Sequence, residues 1–525
     1  MSNVCQLLQR QVAEHPHAPA ITQRRRERNI TIRYAELQQR VDARAGEYAE
    51  LGLLPGNRVM ILCPVSIELY IAVLALLRLG VTAMFVDPGA GLRRLDACCA
   101  AARPQAVIAS PSAWLLRPLV RSLRWETRWI SSSRRAGGRA SPAEPAGVGT
   151  DHPALLTFTS GSTGKPRGVV RTHGFLGRQQ QAIARELQLV AGQCELLTMP
   201  MFVLANLAAG VHSVLGDIRF GSPSKQAPRR LIQQLTSMKP DRMLASPSLL
   251  DGVADHCIKH SLTLDSLKRV TTGGAPVFPR TIDKLRQAMP SARLEVVYGS
   301  TEAEPIAVLE ATTNDTEIRE RIRLGAGLPA GKTASDLDVR LLSANYPSAA
   351  ESISANAFES HCLSGQSIGE IVVHGERVIR SYLEGIGDEQ TKIRVDADIW
   401  HRTGDLGRFD ANGQLWLLGR VAGRVQDARG TLEPLSVEAA AMEHAAVSRC
   451  ALMSLDGRRV LVVVPHRQSA RHWRESIMDH LSWAQLDGVK AVPRLPLDRR
   501  HHAKIDYPAL QRLFGTDAPG ATSTT

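Results

Sequence analysis

Two short apolar runs, Arg58-Val59-Met60-Ile61-Leu62 and Thr82-Ala83-Met84-Phe85-Val86, flank a segment patterned as a buried helix, and few folds accept that spacing. Ser66 stands where a helix N-cap belongs, Gly80 where a helix stops, and the residues between are almost wholly apolar. Strand, helix and strand at this distance make a βαβ unit, which needs a parallel sheet covered by helices. A second alternating block runs over about residues 151–330. From about residue 335 strands lead: Asp338-Val339-Arg340-Leu341-Leu342, Gly369-Glu370-Ile371-Val372-Val373 and Gln414-Leu415-Trp416-Leu417-Leu418. The remainder reads as a separate small α+β pattern ending in a disordered tail over residues 515–525. With 525 residues the chain exceeds what one hydrophobic core usually serves, so at least two domains are expected. Residues 131–150, rich in Ser, Gly, Pro and Ala, read as a mobile connection.

Leu155-Leu156-Thr157-Phe158, a further strand signal, leads directly into Thr159-Ser160-Gly161-Ser162-Thr163-Gly164-Lys165-Pro166-Arg167-Gly168. Three glycines let backbone N–H groups close on an anion, and four hydroxyls with two cations add donors. That chemistry suits a polyphosphate. The loop is not of the Walker A type, because Lys165 is followed by Pro166 rather than Ser or Thr.

Further motifs follow in order. They are Thr31-Ile32-Arg33-Tyr34-Ala35-Glu36-Leu37, Gly273-Gly274-Ala275-Pro276, Tyr298-Gly299-Ser300-Thr301-Glu302, Thr403-Gly404-Asp405, Gly419-Arg420 and Ala503-Lys504-Ile505. Together with the glycine-rich loop they resemble the adenylate-forming (ANL) superfamily: acyl-CoA synthetases, peptide-synthetase adenylation domains and luciferases. The resemblance runs over about residues 30–510. It implies an α/β fold: a large N-terminal AMP-binding domain over residues 1–420 with αβαβα-type sheets and a small β-barrel-like subdomain. A small mobile α+β lid would follow over residues 421–514.

The same resemblance implies ATP-dependent activation of a carboxylic acid as acyl-adenylate, with Mg²⁺, followed by transfer to an acceptor. Thr159, Ser160, Gly161, Ser162, Thr163, Gly164 and Lys165 would hold the β- and γ-phosphates, while Gly273, Gly274, Ala275 and Pro276 would line the adenine. Tyr298, Gly299 and Ser300 would border the nucleotide and Thr301 would donate to the α-phosphate. Glu302 would ligate Mg²⁺, a hard cation that takes few carboxylates besides phosphate oxygens. Asp405 would accept both ribose hydroxyls, with Arg420 adding a cation nearby. Lys504 would stabilise the charge gathering between carboxylate and α-phosphate. Lysine is scarce: none precedes Lys165, and only Lys490 and Lys504 follow Lys392. Phe202, Val203 and Gly274 would border the acyl group, and the small side chains in residues 202–210 favour an aliphatic acid, such as a fatty acid.

Departures bear on the acceptor. Arg167 replaces the usual lysine, Val203 the histidine of the acyl-CoA synthetases' P-L-F-H, and Ala422 the usual acidic hinge residue, while Gly430 comes one residue late. The leading expectation is transfer to CoA, as in a fatty-acid CoA ligase. Residues 419–425, 495–505 and 171–176 are similar to the olefin-pathway β-lactone synthetases, in which the substrate's own hydroxyl is the acceptor. Loading of a carrier protein and a non-catalytic ATP-binding relative remain as alternatives.

The net charge of +13 raises a polyanionic partner, but 54 of the 64 basic residues are arginines spread along the chain. The densest cluster, Arg24, Arg25, Arg26 and Arg28, lacks interleaved aromatics, so no nucleic-acid partner is expected. No apolar run reaches the roughly 20 residues of a membrane span, leaving at most peripheral membrane contact. The N-terminus lacks a secretory pattern and eight scattered cysteines suggest neither metal site nor disulfides, so a cytoplasmic protein is expected.

Overall fold

The computed structural model describes all residues except 1–2, 26–27, 88, 90, 124–126, 133–143, 161–165, 219–225, 312–315, 344–345, 347–351, 467–470, 498–504 and 516–525. The βαβ unit forms as its pattern implies. Arg58–Leu62 and Thr82–Phe85 pair in parallel, and the helix Ile67–Arg78 between them is capped by Ser66, whose hydroxyl accepts from Leu69 N at 3.3 Å. Nearly every side chain of that helix is buried, so it has no polar face to turn outward.

These strands belong to a six-stranded sheet ordered Arg128–Ser131, Ala106–Ala109, Arg58–Leu62, Thr82–Phe85, Pro153–Ser160, Pro166–Thr172. All its pairs are parallel except the last, which folds back on itself from Ser160 to Pro166. Residues 161–165, the middle of the glycine-rich loop, lie between those two paired residues and outside the described ones.

The second sheet has 14 strands. Its middle is parallel, from Pro19–Arg25 through His212–Leu215, Cys194–Leu197, Arg242–Ala245 and Arg269–Gly273 to Arg293–Ser300. There the chain turns sharply, and Ala303–Ala311 returns antiparallel. Every strand beyond this hairpin is antiparallel, with Asp398–Phe409 paired to Leu415–Arg420 and Asp338–Leu342 at the edge. The strand-rich part of the sequence is therefore hydrogen-bonded onto the large sheet, and the hairpin is the seam between the two halves.

After Arg420 a separate three-stranded sheet forms from Val447–Leu455, Arg458–Pro465 and Gly488–Ala491, with the helix Pro434–Met442 packed on it. This mixed α/β architecture agrees with the expected fold class. Of the expected tail, residues 516–525 lie outside the described residues. Among the described residues no helix is long and apolar enough to cross a membrane. All eight cysteines are free.

Candidate active site

The hairpin at the seam carries the first group of expected site residues. Tyr298, Gly299 and Ser300 end the strand, and Thr301 and Glu302 form the turn, held by a hydrogen bond from Ala303 N to Ser300 Oγ at 3.2 Å. A Cβ on Gly299 would come within 3.1 Å of Ala303 O, so the tight reversal has little room for a side chain there. On the neighbouring strand Gly273 lies so close to Val297 that a Cβ would meet its carbonyl oxygen at 2.4 Å. Gly274, with φ +80°, then turns the chain away, followed by the half-buried Ala275 and the exposed Pro276.

Arg171 links the two sheets at this point. It is buried on Pro166–Thr172, and its guanidinium donates to Thr301 O at 2.7 Å and to Thr157 Oγ1 at 3.2 Å. The strand entering the glycine-rich loop is thereby tied to the turn expected to face the α-phosphate. Thr159 is half-buried at the end of that strand, whereas Ser160 can be located only by its backbone. Gly161, Ser162, Thr163, Gly164 and Lys165 lie outside the described residues.

Glu302 is buried. Its carboxylate accepts the Tyr382 hydroxyl at 2.8 Å, and its backbone carbonyl accepts Ile379 N at 2.9 Å. Lys392, also buried, donates to Ile379 O and lies 3.3 Å from His401 Nδ1 and 5.2 Å from the Tyr382 ring centre. Burial pushes the Lys392 amine down to about 8, and burial together with that ammonium pushes His401 down to about 3. Burial would raise the Glu302 carboxyl, but His401, the Tyr382 hydroxyl and Lys392 hold it below the usual carboxylate range.

Glu302 thus stays ionised despite its burial. Among the described residues no group of three or more His, Cys, Asp or Glu could hold a metal ion. A single ionised carboxylate suits Mg²⁺ bound chiefly by phosphate oxygens and water, so the donor set fits that ion.

Asp405 and Arg420 face each other across two antiparallel strands, joined by Arg420 Nε to Asp405 Oδ1 at 2.9 Å. The Tyr298 hydroxyl donates to Asp405 Oδ2 at 3.0 Å, and Arg420 Nη1 donates to Thr403 O at 3.1 Å. Gly404, with φ +71°, supplies the left-handed conformation next to the carboxylate. Tyr298, expected as a bordering wall, is a hydrogen-bond donor as well, and burial with the neighbouring Asp405 charge raises its phenol well above the ordinary value.

Phe202 and Val203 open the helix Phe202–Ala209. Val203 is fully buried in the main core, while Phe202 lines a small cavity against the helix His173–Glu186. Gly274 lies within 3.8 Å of Met199 Cε as measured from an added Cβ, which sets it near the chain leading into that helix.

Lys504 lies outside the described residues. Its neighbour Ile505 pairs with Leu497, and the Tyr507 hydroxyl donates to Glu438, a carboxyl that also accepts Leu452 N at 3.0 Å. Burial pushes Glu438 up to about 7.

Sequence reasoning missed Arg171, Tyr382, Lys392 and His401 as site-supporting residues. A signal for Lys392 existed: a scarce lysine opens the apolar stretch Lys392-Ile393-Arg394-Val395. Its pairing with His401 depends on strand register, which only the fold displays.

The description "AMP-binding enzyme" matches residues 8–383, and the chain belongs to that family. It is an adenylate-forming ligase, a class that activates a carboxylic acid with ATP. The chain is 31% identical over 513 residues to an olefin beta-lactone synthetase of Stenotrophomonas maltophilia, covering 91% of this chain and 90% of that one. It is also 31% identical over 446 residues to an olefin beta-lactone synthetase of Xanthomonas campestris, covering 81% and 78%. In fold it resembles ATP-bound MatB from Rhodopseudomonas palustris, with a TM-score of 0.80 at 19% identity over 98% of this chain and 99% of that one.

Proposed function

We propose that the protein activates an aliphatic β-hydroxy acid with ATP and that the acid's own hydroxyl then displaces AMP to close a β-lactone. The convergence of the Thr301 and Glu302 turn with Tyr298, Asp405 and Arg420, beside the strands bordering residues 161–165, carries the reading of adenylation. In the first step a carboxylate oxygen attacks the α-phosphorus as the bond to pyrophosphate breaks. Thr301 would donate to the α-phosphate, Asp405 would accept ribose hydroxyls, and Arg420 would supply positive charge beside it. Glu302 would hold Mg²⁺, which when bound neutralises charge on the phosphate oxygens. Lys504 would bridge acid and phosphate, and residues 421–514 would act as the lobe that delivers it.

In the second step the β-hydroxyl oxygen attacks the acyl carbon, the acyl–phosphate C–O bond breaks, AMP leaves with the electron pair, and the hydroxyl proton passes to solvent. Two curated relatives named for β-lactone synthesis support this acceptor. Val203 and Ala422, which replace the acyl-CoA synthetases' usual residues, support a second step different from theirs.

Incubation with ATP, Mg²⁺ and a panel of fatty and β-hydroxy fatty acids, with and without CoA, tests the reading by mass spectrometry. A β-lactone formed without CoA is expected. A thioester appearing only with CoA would replace the second step by CoA ligation, and the absence of acid-dependent pyrophosphate release would overturn adenylation.

A further inference from the structure

The helix His173–Glu186 turns Leu176, Gln179, Gln180 and Ile183 to the protein interior, the spacing of a core-facing stripe. Two glutamines occupy the middle of that stripe, 5% and 7% exposed. Neither carboxamide has a hydrogen-bond partner among the described residues, and both line the small cavity that Phe202 also borders. Glu304, two residues beyond Glu302, borders it from the returning hairpin strand.

Both side chains border this cavity, so a group entering it meets two amides free to hydrogen-bond on an otherwise apolar face. Such a group must enter between the Phe202 helix, where an acyl chain was expected, and the hairpin whose turn would face the α-phosphate. A group there belongs to the part of the acid near its carboxyl. We infer that Gln179 and Gln180 recognise the hydroxyl borne by the substrate acid close to its carboxylate. They are specificity-determining residues that favour β-hydroxy acids over unsubstituted ones. An amide offers both donor and acceptor, so it can pair with a hydroxyl in either sense. A methylene in the same position would leave the carboxamides unpaired, and the site would reject it. The inference rests on adenylation at the site described above and extends it to the choice of acid.

The test compares acid-dependent pyrophosphate release for β-hydroxy fatty acids and unsubstituted fatty acids of equal chain length. It uses the full chain and the variants Gln179→Leu, Gln180→Leu and the double variant. Wild type should prefer the hydroxy acid, and each single variant should lower the ratio of kcat/KM values by about tenfold, the scale of one lost hydrogen bond. Leucine suits both helix and stripe, and a ratio is insensitive to the amount of folded enzyme. Release with both acids but an unchanged ratio in the variants would overturn the inference and leave adenylation standing, the cavity then holding structural water only. Equal turnover of both acids by wild type would overturn it without any variant. No release with any acid would instead refute adenylation, and the inference with it.

Discussion

Two buried glutamates, one at the sheet seam and one in the C-terminal part, sit at nearly the same exposure, 8% for Glu302 and 7% for Glu438. Each accepts a tyrosine hydroxyl, from Tyr382 and Tyr507 respectively. Their acidities nevertheless move in opposite directions. Glu302 lies below the usual carboxylate range while Glu438 is pushed up to about 7. The difference is basic company: besides the Tyr382 hydroxyl, His401 and the Lys392 ammonium lie in the Glu302 cluster, whereas Tyr507 and the Leu452 amide alone offset burial at Glu438. A hydroxyl alone does not offset desolvation, but a hydroxyl together with basic groups does.

Removing that ammonium should break the contrast most strongly. Lys392→Met leaves a buried carboxylate without its counter-charge, and a loss of about 3–5 kcal/mol in unfolding free energy is expected by denaturant titration. Lys392→Arg should lose less. If Lys392→Met were as stable as wild type, the account of Glu302 given above would be wrong.

Glu438 sharpens the contrast through pH. Its folded pKa is raised, so its contribution to stability is full below about 4.5 and is lost as the pH rises through about 7. Above that range the charged form costs about 3 kcal/mol. Glu438→Gln should escape the cost, so its thermal midpoint should gain on wild type between pH 5 and 8. Parallel pH profiles would contradict the assignment.

The catalytic contribution of each region can be compared as well. Lys504→Ala should lower pyrophosphate exchange on the order of 10²-fold, as loss of one preorganised donor commonly does. Unchanged exchange would remove the C-terminal part from adenylation. At the seam Arg171→Met should lower adenylation by about tenfold, because the turn carbonyl loses a charged hydrogen bond. Activity equal to wild type would mean that the hairpin holds its turn without help from the other sheet.

These comparisons also indicate what the sequence could disclose. The βαβ unit was legible because capping and apolar runs are local, and Tyr298, Thr301, Glu302, Asp405 and Arg420 were legible because each lies in a short contiguous motif. That Asp405 and Arg420 touch follows from the register of a hairpin whose strands meet at Phe409 and Leu415, with a shift between Leu406 and Gly407 that no local pattern encodes. The same holds for Tyr382, Lys392 and His401, whose partnership with Glu302 is assembled by the fold. Gln179 and Gln180 fall between these cases: helical spacing sets them beside Leu176 and Ile183, but their burial depends on what packs there.

The Asp405–Arg420 pair has a mechanical consequence. Arg420 is the final residue of its strand, and the chain departs from it directly into the turn at Val421–Gly423. A sugar taking its proposed place at Asp405 would compete with Arg420 for the carboxylate and so loosen the side chain where the strand gives way to that turn. Under the proposed function, occupancy of the carboxylate and any movement at residues 421–423 would share a single guanidinium.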